Sequence, residues 1–368
     1  MAYVAIQGGQ RAIEEAARLS EYLRTEQGIE GRPVSLDDIK YQLRGLHSRI
    51  LSEGGLYHPD LAALAIKQSM GDPLEASFAL RAYRSTRPRR METAAHDTSR
   101  MRLVRRISAA FKDIPGGQML GATPDYSLRL LRFDLMDESP EAFQEIAGTW
   151  MENLNADDVP DTFPKVLDLL REEGLLASSD NDGSEEAFDI TRQPMIFPVP
   201  RSAALQSMAR GETGSLLMIA YSNMRGYGDV HPTVGEVRVG YLPVELPHPV
   251  TGTPVEIGEV LMTECEVVAM YEGGDDAQAQ PRFTVGYGAC FGHNEVKAIA
   301  MAILDRALQK GMQDGAANPS EDPEFVLLHI DGIDSMGFCT HYKMPHYVTF
   351  QSDMDRLRTT QSKKERDL

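Results

Sequence analysis

Cysteine is scarce in this sequence, and its spacing fits neither a zinc finger nor a CxxC motif. Cys265, Cys290 and Cys339 are the three cysteines among 368 residues. An odd number of thiols without paired spacing argues against a disulfide framework and favours reduced thiols in a cytosolic protein.

Long apolar runs and excess positive charge are also missing. No stretch approaches the ~20 apolar residues of a membrane span, and the amino terminus lacks the continuous apolar region of a signal peptide. The formal net charge of −18 argues against broad binding to nucleic acid or anionic membranes, which depends mainly on Lys and Arg. We therefore expect a cytoplasmic protein without nucleic-acid or membrane partners.

The familiar nucleotide-binding and zinc-protease motifs do not occur. The sequence contains no GxxxxGK[ST] loop, no Rossmann fingerprint and no HExxH. A phosphate-bearing ligand would therefore need a local basic pocket, and a zinc-dependent hydrolase that works alone is disfavoured.

The first ninety residues have apolar positions every three or four residues, which predicts a helical lobe. Ser35 is a suitable N-cap, and Pro59 and Pro73 stand where a first helical turn tolerates proline. Helices are expected within residues 10–28, 35–55, 59–72 and 73–86.

Residues 101–189 form a connecting region between this lobe and the rest of the chain. The Pro-Gly-Gly turn within 101–121 predicts a hairpin between two strands, although its first half also fits a helix. PKVLDLLREEGLL predicts a helix, and the polar run SSDNDGSEE predicts a mobile loop. The predicted domains are a helical assembly lobe over 1–100, this connecting region, and a domain over 190–368.

The last domain has mostly strand patterns followed by one amphipathic helix. Strands are expected within 214–225, 235–246, 255–272 and 281–292. The helix within 293–311 is expected to face inward with Val296, Ile299, Ala300, Ile303, Leu304 and Leu308. Hairpin-like connections favour a mainly antiparallel sheet with packed helices, so the predicted class is α+β.

A glycine-rich stretch, RGYGDVHPTVGEVRVGY, offers groups suited to an anionic ligand. Glycines let backbone amides approach an anion, and an arginine can clamp a phosphate bidentately. Arg225, Tyr227 and Arg238 are the candidate phosphate-binding residues, with His231 and Glu236 beside them. A plain turn between two strands also explains the glycines and is the commoner reason for such a stretch.

The stretch MTECEVV places Glu264 and Glu266 on one face of a strand, with Cys265 on the other. Paired carboxylates can share acid and base work at a glycosidic carbon, and mutual repulsion would raise one pKa if the pair were buried. A solvated strand face is the simpler alternative. The basic clusters RMRLVRR and RAYRSTRPRR are expected to be solvated or to contact an acidic partner.

Two histidines near the carboxyl terminus, His341 and His346, flank Pro345 in CTHYKMPHY. Neither a helix nor a strand brings side chains five positions apart together, since they diverge by roughly 140° on a helix. Pro345 favours a bend that could make the two rings converge on a metal such as zinc. A zinc site needs about four ligands, and only Cys339 lies nearby, so an ordinary hydrogen-bonded pair is the alternative.

Taken in order along the chain, many stretches resemble the PhnI family, whose members are subunits of the bacterial carbon–phosphorus lyase core complex. They run from YVAIQGG through EGGLYHPDLAALAIKQSMGD, FALRAYR, RMRLVRRISAAFKDIPGGQMLG, ITRQP, GYGDVHPTVGEVRVGY, GEVLMTECEVV and GYGACFG to THYKMPHYVTFQ. Nearly the whole chain is covered, apart from about residues 138–189 and the last dozen.

The resemblance implies an activity shared among subunits. With PhnG, PhnH and PhnL, a PhnI-like protein would displace adenine from ATP by a phosphonate of the methylphosphonate class, giving a ribose 1-phosphonate 5-triphosphate. Alone it would act as a purine nucleosidase. The catalytic candidates are then Glu264, Glu266, Glu236 and His231. The rival is a scaffold subunit whose partners do all the chemistry.

The resemblance also implies cofactors and contacts. His341 and His346 would hold zinc at the interface with PhnJ, and this chain would self-associate within a twofold-symmetric hetero-oligomer that also includes PhnK. Cys339 departs from an aliphatic family position and is either an extra ligand or a packing residue. No iron–sulfur cluster is expected in this chain, because that chemistry belongs to PhnJ.

Overall fold

A computed structural model describes residues 9–26, 31–126, 130–152, 163–177, 187–227, 231–272 and 280–366. The predicted mobile loop at 178–186 lies outside these ranges. Within them, no helix is both long and apolar enough to cross a membrane.

Helices make up the amino-terminal part, as predicted. They are α1 (Gln10–Thr25), α2 (Leu36–Gln42), α3 (Arg44–Gly54), α4 (Pro59–Gln68) and α5 (Pro73–Ser85). The Ser35 hydroxyl accepts from the backbone N–H of Asp38 at 3.0 Å, which completes a capping box. Pro59 and Pro73 begin α4 and α5. The expected single helix over 35–55 is two helices, because Leu43 leaves helical geometry.

The helices α2 to α5 enclose a small apolar core of their own. Its buried residues are Ile39, Ile50, Leu51, Ala62, Ala63, Ala65, Ile66, Ala76 and Leu80. By contrast, α1 has no buried residue, so the core of this lobe is closed without it.

A four-stranded antiparallel sheet forms the centre of the later chain, with strand order β1-β2-β3-β4. The strands are β1 (Arg102–Ile107), β2 (Thr233–Pro247), β3 (Pro254–Glu272) and β4 (Arg282–Phe291). The remaining helices are α6 (Pro140–Glu152), α7 (Val166–Glu172), α8 (Arg201–Arg210), α9 (Thr213–Ser222), α10 (Glu295–Asp314), α11 (Pro323–His329), α12 (Gly332–Tyr342) and α13 (Tyr347–Arg366). This architecture confirms the α+β class and the predicted strands β2, β3 and β4.

The main core lies between one face of the sheet and α10, joined by α8, α9 and α11. Val237, Cys265 and Val267 supply the sheet side, and Ala298, Met301 and Leu304 are among the residues of α10 buried against it. Two glycines of β4 allow the close approach. A side chain on Gly286 or Gly288 would meet the backbone oxygen of Ala302 or Ala298 at 2.1 or 2.2 Å.

Residues 214–225 were predicted to be a strand, and this is wrong. They belong mostly to α9, because the Glu212 carboxylate caps that helix by accepting from the backbone N–H groups of Gly214 and Ser215 at 2.9 and 2.7 Å. The run GSLLMIAYS is apolar nearly throughout, and such a run does not distinguish helix from strand.

The predicted Pro-Gly-Gly hairpin is present only in part. Arg106 and Met119 exchange two backbone hydrogen bonds of 2.8 Å across the turn, but the second strand is reduced to that one bridge. Beyond the bridge, the Gln118 side chain accepts from the Ser108 N–H at 3.2 Å where a longer strand would have continued the ladder.

The inward stripe of α10 was predicted correctly except at its start. Ala300, Leu304 and Leu308 are buried, and Ile299 and Ile303 pack against the core. Val296 is 53% exposed. Lys297 is buried instead, because its ammonium donates to Ser52 Oγ and to the Ala209 carbonyl, both at 2.7 Å.

The close packing of α10 on β4 yields a first prediction. Gly288→Ala should lower the free energy of unfolding by about 1–3 kcal/mol, since its new methyl group would collide with helix backbone. Gly45→Ala, in α3 with open space around it, should be neutral or stabilising by up to about 1 kcal/mol. Urea unfolding of both variants measures this, and equal stabilities would contradict the packing described.

Candidate functional site

The two faces of the sheet differ in chemistry because side chains alternate along each strand. Val237, Cys265 and Val267 face α10, whereas Glu236, Arg238, Glu264 and Glu266 point to the opposite side. We call this second side the charged sheet face; it also includes Arg106, Lys165 and Tyr287. Cross-strand pairing sets Glu236 beside Glu266 and Arg238 beside Glu264. All four are buried.

Glu236 is fixed by an ion pair with Arg106 at the centre of this face. Its other oxygen accepts from the backbone N–H of Val166, the first residue of α7, at 2.9 Å. The remaining donors of Arg106 reach the carbonyls of Pro115 and Pro164 at 2.5 and 2.6 Å. Glu236 and Arg106 thus tie α7 and the Pro-Gly-Gly turn to the sheet.

Glu264 concentrates three donors on one oxygen. Its Oε1 accepts from the Thr98 hydroxyl at 2.7 Å, from Lys165 Nζ at 2.8 Å and from the Tyr287 hydroxyl at 2.9 Å. Its Oε2 is buried and has no hydrogen-bond partner among the residues that the structure describes. One half of this carboxylate is therefore fixed, and the other half is open to a donor.

Glu266 is the less firmly paired carboxylate. Its Oε1 lies 3.5 Å from a guanidinium nitrogen of Arg171 and 4.0 Å from Lys165 Nζ. Burial raises the pKa of Glu266, and repulsion from Glu264 adds to this, while Lys165 opposes it. Burial and the neighbouring Glu264 also raise the pKa of Tyr287 well above its usual value. Both groups therefore retain protons more readily than they would in water.

Arg238 is the unmatched member of the charged sheet face. Only 1% of the residue is exposed, yet none of its three guanidinium nitrogens has a hydrogen-bond partner within the described part of the chain. A buried cation without partners is unusual, because removing it from water is costly.

The structure brings together some of the predicted site residues and separates others. Glu236, Arg238, Glu264 and Glu266 share one buried face. Arg225 is exposed and donates to the Tyr221 hydroxyl at 3.2 Å. His231 is exposed before β2, and Tyr227 lies in a π-helical turn whose last side chains fall outside the description.

Other interpretations of the sequence were wrong or incomplete. The solvated alternative for Glu264 and Glu266 is excluded by their burial, and Arg105 and Arg106 of the basic cluster are buried rather than solvated. Lys165 and Tyr287 were not identified. The pattern of β1 does not single out Arg106, because the neighbouring Arg105 is buried as well, and Lys165 comes from a distant loop without a motif.

The histidine segment lies apart in sequence, at the junction of two exposed helices. His341 is in the last turn of α12, and His346 immediately precedes α13. The bend at Pro345 brings the ring centroids to 5.1 Å in an edge-to-face arrangement. His346 Nδ1 lies 2.5 Å from the Met344 carbonyl.

The geometry of the two histidines fits a pair of metal ligands. A histidine ligand usually donates one ring N–H to a carbonyl, which leaves the other nitrogen for the metal. The Met344 carbonyl can do this for His346. Among the described residues, no cluster of three or more His, Cys, Asp or Glu side chains is positioned to hold a metal. Cys339 is exposed on α12.

Comparison with known proteins gives the family. The model for "Bacterial phosphonate metabolism protein (PhnI)" matches residues 2–364. A protein of Stutzerimonas stutzeri named "Putative C-P lyase subunit protein HtxH" is 70% identical over 363 residues, covering 99% of this chain and 97% of that protein.

Two further relatives carry the name "Alpha-D-ribose 1-methylphosphonate 5-triphosphate synthase subunit PhnI". The protein from Escherichia coli (strain K12) is 44% identical over 363 residues, 98% of each chain. The protein from Rhizobium meliloti (strain 1021) is 41% identical over 362 residues, 97% of this chain and 94% of that protein. This chain belongs to the PhnI family of bacterial phosphonate metabolism proteins, which confirms the family resemblance.

The raised pKa of Glu266 predicts a pH dependence of stability. A carboxyl whose pKa is higher in the folded protein favours folding when protonated, and this contribution is lost as pH rises through the folded pKa. The stability of the wild type relative to Glu266→Gln should therefore fall as pH rises from about 4 to about 8.

Urea unfolding across this pH range measures the difference. Glu259→Gln is the control, because Glu259 lies on the same strand in an exposed pair with Arg102 and should show little change. A wild-type protein that gains stability over Glu266→Gln as pH rises would contradict the direction of the pKa.

Proposed function

We propose that this chain is a catalytic subunit of the carbon–phosphorus lyase system. Together with PhnG, PhnH and PhnL it displaces adenine from ATP by a phosphonate, giving a ribose 1-phosphonate 5-triphosphate, and alone it hydrolyses purine nucleosides. The names of its relatives support the product. The single observation that supports a catalytic role is the buried carboxylate pair on the charged sheet face.

The proposed reaction needs two kinds of group at the ribose. Departure of the purine leaves positive charge near C1, which a carboxylate stabilises, and the leaving base accepts a proton from an acid. Glu264 has an ionic environment and an open oxygen, which suits the first role. Glu266 holds its proton more readily than usual, which suits the second.

The other predicted residues take different places in this proposal. Glu236 is occupied by Arg106 and Val166, so it positions α7 rather than contacting substrate. His231 and Arg225 are exposed. They are at most contacts for the outer part of a ligand or for a partner subunit. The triphosphate remains intact throughout, so the reaction does not require a Walker motif.

The rival function is a scaffold whose partners perform the chemistry. The ion pairs of Glu236 with Arg106 and of Glu264 with Lys165 favour it, since buried pairs can serve architecture alone. The two functions predict different rates of purine release from ATP, both for the isolated chain and for variants that lack one of the two carboxylates.

Zinc is proposed at the histidine pair, where His341 and His346 would supply two ligands and the partner PhnJ the rest. The two exposed, converging rings fit such a shared site, because a zinc shell of about four ligands needs more than this pair. A zinc ion there would link the two chains and, with an open position, polarise a phosphoryl oxygen.

The catalytic proposal predicts that the wild-type chain releases purine from ATP. Glu264→Gln should reduce the rate of this release about a hundredfold or more. Nucleotide binding should fall much less, since the amide retains an acceptor for the neighbouring donors. Glu259→Gln, exposed on the same strand, should keep full activity. Purine release is followed by chromatography and nucleotide binding by calorimetry. A folded chain that neither binds nor cleaves ATP, alone or in its complex, would favour the scaffold.

The zinc proposal predicts that His341→Ala or His346→Ala lowers the zinc content of the assembled complex by most of one ion per copy of this chain. Folding should be unaffected, because both rings are exposed. His329→Ala, another exposed histidine near a helix end, should retain zinc. Elemental analysis of the purified complexes gives the result, and unchanged zinc in both variants would exclude the pair as ligands.

A further inference from the structure

The charged sheet face contains two unmatched groups that lie next to each other. Arg238 on β2 and Glu264 on β3 are cross-strand neighbours, and both are buried, with 1% and 2% exposure. The three guanidinium nitrogens of Arg238 and the Oε2 atom of Glu264 are without hydrogen-bond partners among the described residues. They also form no hydrogen bond with each other.

No neighbouring charge is hydrogen-bonded to the unmatched atoms of either group among the described residues. Asp97 lies within electrostatic range of Arg238, but its carboxylate accepts from the backbone N–H and the hydroxyl of Ser99. Lys165, Thr98 and Tyr287 all donate to the other oxygen of Glu264, and Arg106 is paired with Glu236. Arg238 is thus the one cation of the buried face without a bonded carboxylate in the described structure. The charged sheet face thus combines an unbonded guanidinium, that of Arg238, with an unbonded carboxylate oxygen, Glu264 Oε2. The guanidinium keeps its positive charge.

Such an arrangement is costly to the free protein. A buried polar group without a partner sacrifices its interactions with water, and a buried charge sacrifices more. Groups of this kind persist where function requires them, often at the expense of stability. The partner that they lack is therefore expected to come from a ligand.

The complementary ligand has two features. An arginine fork binds the oxygens of an anion bidentately, and a carboxylate oxygen accepts from a hydroxyl. A metal cation is disfavoured, because Arg238 would repel it. The ligand therefore carries an oxyanion and at least one nearby hydroxyl group.

We propose that Arg238 and Glu264 form a binding subsite in which Arg238 holds a phosphorus oxyanion and Glu264 Oε2 accepts from a sugar hydroxyl. The choice of phosphorus over a carboxylate rests on the proposed function; the subsite itself rests on the two unmatched groups. The oxyanion has two possible sources, a ribose phosphate or a phosphonate. Of these two, only the ribose phosphate also carries a sugar hydroxyl that can donate to Glu264 Oε2.

Binding of three probes distinguishes these sources. Ribose 5-phosphate carries both features, methylphosphonate carries only the oxyanion, and ribose carries only hydroxyls. Titration calorimetry on the full chain or its complex should give the tightest binding for ribose 5-phosphate. Arg238→Met should lower the affinity for both phosphorus compounds at least tenfold. Glu264→Gln should lower the affinity for ribose 5-phosphate several-fold and leave the affinity for methylphosphonate unchanged.

Arg102→Gln is the matched control, since Arg102 is an exposed arginine of the same sheet, paired with Glu259. It should leave binding of both compounds unchanged. Arg238→Lys should retain part of the affinity for both, because it preserves the charge but not the fork.

Thermal unfolding without ligand separates binding from architecture. If Arg238 is kept for a ligand, Arg238→Met should unfold at the same temperature as wild type or higher, because it removes an unpaired buried charge. A clear fall in the unfolding temperature would mean that Arg238 is structural and would overturn the proposal. So would unchanged binding in Arg238→Met, or no binding of either phosphorus compound to wild type.

The result can be separated from the proposed reaction. Probe binding that depends on Arg238, in a complex that releases no purine, would support the subsite and contradict the proposed activity. If the complex releases purine, and Arg238→Met changes neither this release nor probe binding, the proposed activity would be supported and the subsite contradicted.

Discussion

Pairing of buried charges organises the centre of this protein, with Arg238 left unpaired among the described residues. Glu236, Arg238, Glu264 and Glu266 are brought to one side of the sheet by the register of β2 and β3. Each carboxylate there is then met by a cation from another part of the chain: Arg106 from β1, Lys165 from the segment before α7, and Arg171 from α7 itself. These pairs tie β1, the segment before α7 and α7 itself to the charged sheet face.

A similar use of cations joins the helical lobe to the rest. The Arg81 guanidinium of α5 donates to the Arg210 carbonyl at 2.6 Å and to the Asp331 carboxylate at 2.7 Å. Asp331 is also the N-cap of α12. Lys297 connects α10 with α3 and α8, and burial lowers its pKa to about 8. The helix α12, whose last turn contains His341, is therefore tied to the helical lobe through its N-cap.

The sequence predicts the parts of this structure that depend on local pattern. Alternation identified β2, β3 and β4, Ser35 and the prolines located helix starts, and Pro345 correctly indicated a bend between the two histidines. The prediction from sequence failed at α9, because the run is apolar almost throughout and shows no helical or strand period. The group that decides for a helix there is the Glu212 cap. The prediction also failed for Arg106 and Lys165, because burial of a charge depends on which distant residue meets it, and no local pattern records that.

On the charged sheet face, Arg238 and Glu264 Oε2 have no hydrogen-bond partner among the residues that the structure describes, and the account of function depends on these two groups. The most direct test is a structure of the assembled complex with a ribose phosphate or nucleotide bound. We expect phosphoryl or phosphonyl oxygens within hydrogen-bond distance of the Arg238 guanidinium and a ribose hydroxyl at Glu264 Oε2. A nucleotide bound elsewhere on the complex, with Arg238 and Glu264 unchanged and still without ligand, would contradict the account.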